Sequence, residues 1–325
     1  YFLSFLILLN LKDAKSVLIN LENIKKFIFF IISLVILIYV LFPYIWQNPL
    51  YFVDTIKHFG KFYHDVCTLT FGKCLSAKSP DSMYIPMWLS VKLPLVVLFG
   101  LIAIPFAEKK IFINKKASLY YGTLLTTVLA IPLFLIFTKA HLFDEIRHIQ
   151  FLVPIFFIVA LVAFFIVLKK AFYILSFLSI LIFSMEISFM HPYQYTWLNM
   201  PSRFLEISKN FETDYWGLSG KELAWMAETD TNLIDFESGD LPPENSCLLA
   251  SPIWGVKPFL ASNRMNCFGP WSLIDSDYKR PFYAIQNVRN LKKGIPYKCE
   301  IVQSAKYQYF FDDEVIEAGR VLLCR

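Results

Sequence analysis

The chain is 325 residues long, 56% hydrophobic and 18% aromatic, with a formal net charge of +5, and its apolar content exceeds the roughly 45–50% of a soluble domain. Residues 1–192 carry 17 Lys and Arg against 9 Asp and Glu, and residues 193–325 carry 14 against 17, so an apolar, basic part meets a polar, slightly acidic one near His191. That composition argues against a purely soluble protein, and because the basic residues flank apolar runs, they read as membrane flanking and not as a nucleic-acid patch.

The chain opens without a Met on an apolar run, 1–11, too short to cross a bilayer that needs about 20 residues. It is expected to be the remainder of a span that starts before Tyr1. Runs suited to complete spans follow at about 27–46, 86–107, 118–138, 151–168 and 171–191. They lack the alternating polarity of barrel strands, so helices are predicted. Lys12, Lys15, Lys25 and Lys26 fall in one connection, Lys109, Lys110, Lys115 and Lys116 in the next on that side, and Lys169 and Lys170 in the third. The positive-inside rule makes those connections cytoplasmic. The connections 47–85 and 139–150, and everything after His191, then lie on the extracytoplasmic (periplasmic or luminal) side. All six cysteines (Cys67, Cys74, Cys247, Cys267, Cys299 and Cys324) and all five histidines fall there, which suits an oxidising compartment. Cys67 is expected to pair with Cys74, and the other four to form two bridges in one of three pairings.

Within 47–85, Phe52, Ile56 and Phe59 share a helical face, predicting an amphipathic helix that lies on the bilayer or packs on the tail. Tyr84 and Trp88 enter the next span as interface aromatics. Lys92 follows one turn after Trp88, where its ammonium either snorkels or meets a lipid phosphate. The segment 139–148 is dense in charge. In a helix, Asp144 and His148 would share a face and Arg147 would offer a planar fork to phosphate oxygens; the competing reading is a solvated turn. Glu186, near the outward end of the last span, is either functional or paired within the bundle. The tail, 193–325, reads as a small α+β domain with helices at 204–207 and 218–227 and strands at 247–250, 297–302, 306–310 and 321–324. The absence of a phosphate loop, nucleophile elbow, His-Glu-x-x-His or paired Cys-x-x-Cys disfavours soluble hydrolase and nucleotide-driven functions. The sequence requires no cofactor, and leaves open whether a divalent metal assists.

Four segments carry a family resemblance: Tyr84-Ile85-Pro86-Met87-Trp88 with Lys92-Leu93-Pro94, the run Asp144 to Pro154, His191-Pro192-Tyr193-Gln194-Tyr195, and the run Phe211 to Ser219. In order and placement they resemble the polytopic glycosyltransferases of the GT-C fold. The resemblance is specifically to the bacterial group akin to protein mannosyltransferases and aminoarabinose transferases (glycosyltransferase family 39-like), and it covers roughly 27–225. The resemblance implies an α-helical integral membrane bundle, truncated at the N-terminus, followed by a small α+β extracytoplasmic domain. It implies inverting transfer of a sugar from a polyprenyl-phosphate donor to an acceptor on that face, in contact with membrane lipid. The sequence names neither sugar nor acceptor and indicates no nucleic acid. The family's catalytic base, an acidic residue in the first outer loop, would here precede Tyr1. Lys92, Arg147 and His148 would bind the donor phosphate, with Asp144, Tyr84 and Trp88 in support and Asp214, Tyr215 and Trp216 on the sugar or acceptor side. Two other functions accommodate many spans. One is a membrane-anchored assembly or scaffold protein whose tail binds a partner. The other is a transporter, which calls for polar groups inside spans that are here almost uncharged.

Overall fold

The structure, a computed structural model, describes residues 21–59, 66–78, 80–113, 115–229, 248–260, 268–270, 282–287 and 294–324. The apolar run 1–11 and the cysteines Cys247 and Cys267 lie outside the described residues. The chain is mostly helical, with a small sheet-containing C-terminal region.

Helix α1 (Leu21–Leu41) is followed by α2 (Leu50–Phe59), which is the helix expected around Phe52; the side chains of Ile56 and Phe59 lie outside the described residues. A hairpin of β1 (Cys67–Thr70) and β2 (Lys73–Ser76) comes next, cross-linked by a Cys67–Cys74 disulfide, the pair expected. Its two-residue turn places Phe71 and Gly72 at φ 47° and 74°, a conformation in which glycine at the second position carries no side-chain penalty. The expected span 86–107 is not one straight helix. It consists of α3 (Tyr84–Lys92) and α4 (Leu95–Ile111), bent by 119° at the break. Pro94 is the cause: it excludes the helical conformation from the residue before it, and Leu93 is extended at φ −84°, ψ 138°.

Helix α5 (Lys115–Phe137), a 3-10 turn (Arg147–Leu152) running into α6 (Val153–Val167), and α7 (Lys169–Phe189) complete the apolar part. Among the described residues, four helices are long and apolar enough to cross a membrane, or five if the bent pair is one span. Helices α4 and α6 pack through small residues. Ala103 and Ala107 face Val159 and Ala163, and a Cβ on Gly100 would lie 2.4 Å from the Ala160 carbonyl oxygen. Close backbone approach of this kind gains dispersion contacts without needing water to expel.

After α7 the chain makes two short helices, α8 (Met200–Arg203) and α9 (Ile207–Asn210), where a single one at 204–207 was expected, and then α10 (Gly220–Thr229). A five-stranded sheet follows, formed by β3 (Leu248–Ser251), β4 (Phe268–Pro270), β5 (Phe282–Asn287), β6 (Cys299–Gln308) and β7 (Val315–Cys324) in the order β4-β3-β5-β7-β6. β3 is parallel to β4 and β5, whereas β7 is antiparallel to both neighbours. The strands expected at 297–302 and 306–310 are one continuous β6, and β4 and β5 were not anticipated. A Cys299–Cys324 disulfide joins the start of β6 to the end of β7. Helix α10 covers the sheet with Leu223, Ala224 and Ala227.

Tail and helices share one core. Asn199 reaches into the break between α3 and α4. Its Nδ2 donates to the carbonyls of Ser90 (2.6 Å) and Leu93 (2.9 Å), and its backbone N–H to that of Val91 (2.8 Å). Glu186 of α7 binds Arg203 through both carboxylate oxygens (2.5 and 2.8 Å) and also accepts from Trp197 Nε1 (2.6 Å). Of the two roles expected for Glu186, the paired one is seen, with a partner in the tail.

Candidate functional site

The polar groups gather where three segments meet: hairpin β1–β2, the connection 138–152, and the run 211–219. Thr70 bridges Phe211, the Glu212 N–H donates to the Leu69 carbonyl at 2.8 Å, and the Leu69 N–H donates to Glu212 Oε2 at 3.0 Å. Thr68 Oγ1 receives the Asp144 N–H at 3.1 Å. The hairpin therefore holds both other segments in place.

Lys92, expected to meet a donor phosphate, is buried and bound to Glu145 Oε2 at 2.5 Å. It also donates to the Tyr195 carbonyl at 3.0 Å and lies 5.9 Å from the Trp88 ring centre. A buried ammonium needs a charge partner and hydrogen bonds, and here the protein itself supplies them, so Lys92 is not free for phosphate. Burial pushes the Glu145 carboxyl up from 4.5 to about 7 against the pull of Lys92, with Glu212 and Asp144 adding to the rise. Glu145 Oε1 is buried with no hydrogen-bond partner. The sequence singles out no role for Glu145; its one signal is its place between Asp144 and the Ile146-Arg147-His148 run.

The helical pairing of Asp144 with His148 is not formed. Asp144 and Glu145 take φ of 56° and 63°, which ends any helix there, and Asp144 turns to Arg147 instead, Nη1 to Oδ2 at 3.0 Å. Arg147 lies over the Trp216 ring at 4.3 Å and near Phe143 at 5.7 Å, with its side chain 40% exposed. His148 meets the Phe143 ring edge-on at 4.6 Å, and its buried Nε2 has no hydrogen-bond partner.

Tyr84 and Trp88, expected at a lipid interface, are both fully buried, because the hairpin and the tail cover α3. Trp88 Nε1 donates to Thr70 Oγ1 at 3.0 Å, and its ring meets Phe211 edge-on at 5.9 Å.

Asp214, expected on the sugar or acceptor side, is fully buried and saturated. It accepts from the N–H groups of Leu218 (2.7 Å) and Ser219 (2.9 Å), from Ser219 Oγ (2.5 Å) and from the Tyr195 hydroxyl. These bonds tie down the approach to α10 as a cap does. Burial, reinforced by Asp214, holds the Tyr195 phenol well above its ordinary value. Tyr215 packs edge-on to Tyr195, and burial raises its phenol likewise. Of that trio Trp216 reaches the surface. It lines a cleft of about 720 Å3 with Tyr193, Lys221, Glu222, Trp225 and Trp254.

The residues expected to bind a donor phosphate therefore sit in an acid-rich cluster. Asp144, Glu145, Glu212 and Asp214 are all buried, Glu145 is paired with Lys92, and the Arg147 side chain is 40% exposed. Among the described residues no group of three or more His, Cys, Asp or Glu is arranged to hold a metal ion. Comparison of the chain with protein-family models, curated proteins and solved structures finds no match.

Proposed function

We propose that the chain is part of a membrane glycosyltransferase that takes its sugar from a polyprenyl-phosphate donor, with the tail and the segments around hairpin β1–β2 on the extracytoplasmic side. The observation that carries this reading is the placement of Arg147. It opens the candidate span Arg147–Val167, so a phosphate whose isoprenoid chain lay along the helices would meet it at the bilayer boundary. Nη1 is engaged by Asp144, the side chain is 40% exposed, and a guanidinium fork suits phosphate oxygens. In the transfer an acceptor hydroxyl attacks the anomeric carbon and the bond from that carbon to the phosphate oxygen breaks. Polyprenyl phosphate leaves with the electron pair, and the hydroxyl proton goes to a carboxylate base. Arg147 stabilises the charge on the leaving group. Lys92 has a positioning role here, holding Glu145 and with it the connection that carries Arg147.

Sidedness has separate support. The disulfides of hairpin and tail suit an oxidising compartment, and Lys109, Lys110, Lys169 and Lys170 sit at the helix ends remote from the tail. The test is release of polyprenyl phosphate from a radiolabelled polyprenyl-phosphate sugar by the protein reconstituted in liposomes. Arg147→Ala is expected to slow release by about 100- to 1000-fold, the usual effect of removing one oxyanion donor. Equal rates would remove Arg147 from the site.

A scaffold function is favoured by one observation: the buried Glu186–Arg203 pair fastens the tail to the last apolar helix. It predicts no turnover in wild type or variant.

A further inference from the structure

The cleft beside Trp216 differs in kind from the polar cluster. Trp216, Trp225 and Trp254 converge on it from three separate segments, and Trp225 and Trp254 are 64% and 59% exposed. Leaving several indoles open to water around one concavity forgoes a large burial gain. The walls are fixed. A Cβ on Gly220 would lie 2.2 Å from the Gly255 carbonyl oxygen, so the start of α10 and the segment carrying Trp254 are in direct backbone contact. Trp216 meets Trp254 edge to face at 6.4 Å. Polar groups are few, Lys221 and Glu222 among them. Lys221 and Trp225, four apart in α10, share a helix face, while Glu222 accepts the Tyr193 hydroxyl on Oε2 at 2.7 Å.

We infer that this cleft is a binding site for a neutral saccharide. A pyranose ring has a C–H face that lies on an indole and an edge of hydroxyls that seeks donors and acceptors. The cleft supplies both, in a volume within the ordinary range for ligand sites. Lys221 and Glu222 both line the cleft and carry opposite charges, which suits an uncharged polyol better than an anionic lipid headgroup or a charged peptide. The indoles line a hollow, whereas a membrane anchor would present them on a convex edge. The inference goes beyond the transferase reading and does not rest on it, because occupancy is measured without any donor lipid.

The test is a titration of the detergent-solubilised protein with neutral tetrasaccharides of glucose and of mannose, read by tryptophan fluorescence and by hydrogen exchange over 215–226. The expected result is a saturable emission shift with at least one of them, protection of the α10 amides, and at least tenfold weaker binding in Trp225→Ala and in Trp254→Ala. Both side chains are largely exposed, so these variants keep the fold, and a Trp46→Phe control keeps the response. The inference is overturned if neither saccharide gives a saturable response. It is also overturned if the two variants bind as wild type does, or if the emission shifts only with phosphatidylglycerol vesicles or a proline-rich peptide. Saccharide binding without sugar transfer would sink the transferase reading alone, and transfer without saccharide binding would sink this inference alone.

Discussion

Lys92 and Glu145 form a 2.5 Å ion pair with side chains 6% and 3% exposed, at the point where the bent helix meets the connection that carries Arg147. Removing one partner of such a pair leaves an uncompensated buried charge, whereas replacing both with apolar groups does not. Lys92→Met alone and Glu145→Leu alone are expected to cost about 3–5 kcal/mol each, with most of the loss recovered in the double variant. Denaturant unfolding in micelles reads all three. A double variant as unstable as the two losses added together would show that the pair is not what matters.

Glu145 also sets a pH dependence. Its folded carboxyl titrates near 7 and the unfolded one near 4.5, so the folded state holds the proton longer. The stabilisation is complete below about 4.5 and is lost as pH rises through about 7. Lys92, which opposes the shift, and Glu212 and Asp144, which add to it, are the charges that face this carboxyl. The melting temperature should fall between pH 5 and pH 8, and Glu145→Gln should flatten that fall. A wild type that gains stability relative to Glu145→Gln over this interval would reverse the sign and refute the assignment.

Asp214 is expected to behave as a structural residue. Asp214→Ala strips acceptors from two N–H groups and two hydroxyls, and should destabilise the tail by about 2–4 kcal/mol. Exchange of the Leu218 and Ser219 amides should accelerate first. Were Asp214 a sugar ligand instead, Asp214→Asn would weaken saccharide binding while leaving those amides protected.

Gly220→Ala places a methyl 2.2 Å from a backbone carbonyl oxygen that has no rotamer to escape into. A cost of about 1–3 kcal/mol is expected, together with loss of the fluorescence response to saccharide although every cleft tryptophan remains. A variant that keeps both stability and response would mean that the contact with Gly255 is dispensable.

Peptide mapping without reduction should recover Cys67 linked to Cys74 and Cys299 linked to Cys324. Replacing the second pair by serines should cost about 2–4 kcal/mol, read from tail unfolding.

The apolar helices were legible because length and hydropathy are local properties: 118–138 and 171–191 differ from α5 and α7 by only a few residues at each end. The break inside 86–107 had a local signal, Pro94, which was outweighed there by continuous hydropathy. The partners of the charges had no such signal. Lys92 finds Glu145, and Glu186 finds Arg203, through contacts across the fold that no spacing rule encodes. Asp144 and His148 are four apart, a spacing that matters only in a helix, and the left-handed backbone at Asp144 and Glu145 removes that premise. Strand β5 was missed although all six of its residues are buried, because a central strand covered on both faces shows no alternation. The cleft was legible only at Trp216, since Trp225 and Trp254 come together through the packing of α10 against the segment that carries Trp254.

Asn199 has a bearing on how the protein is made. Three bonds from this residue close the gap that Pro94 opens between the two halves of the bent helix, yet the ribosome reaches Asn199 only after every apolar helix. The carbonyls of Ser90, Val91 and Leu93 therefore have no Asn199 to bind until the segment that follows α7 has been made.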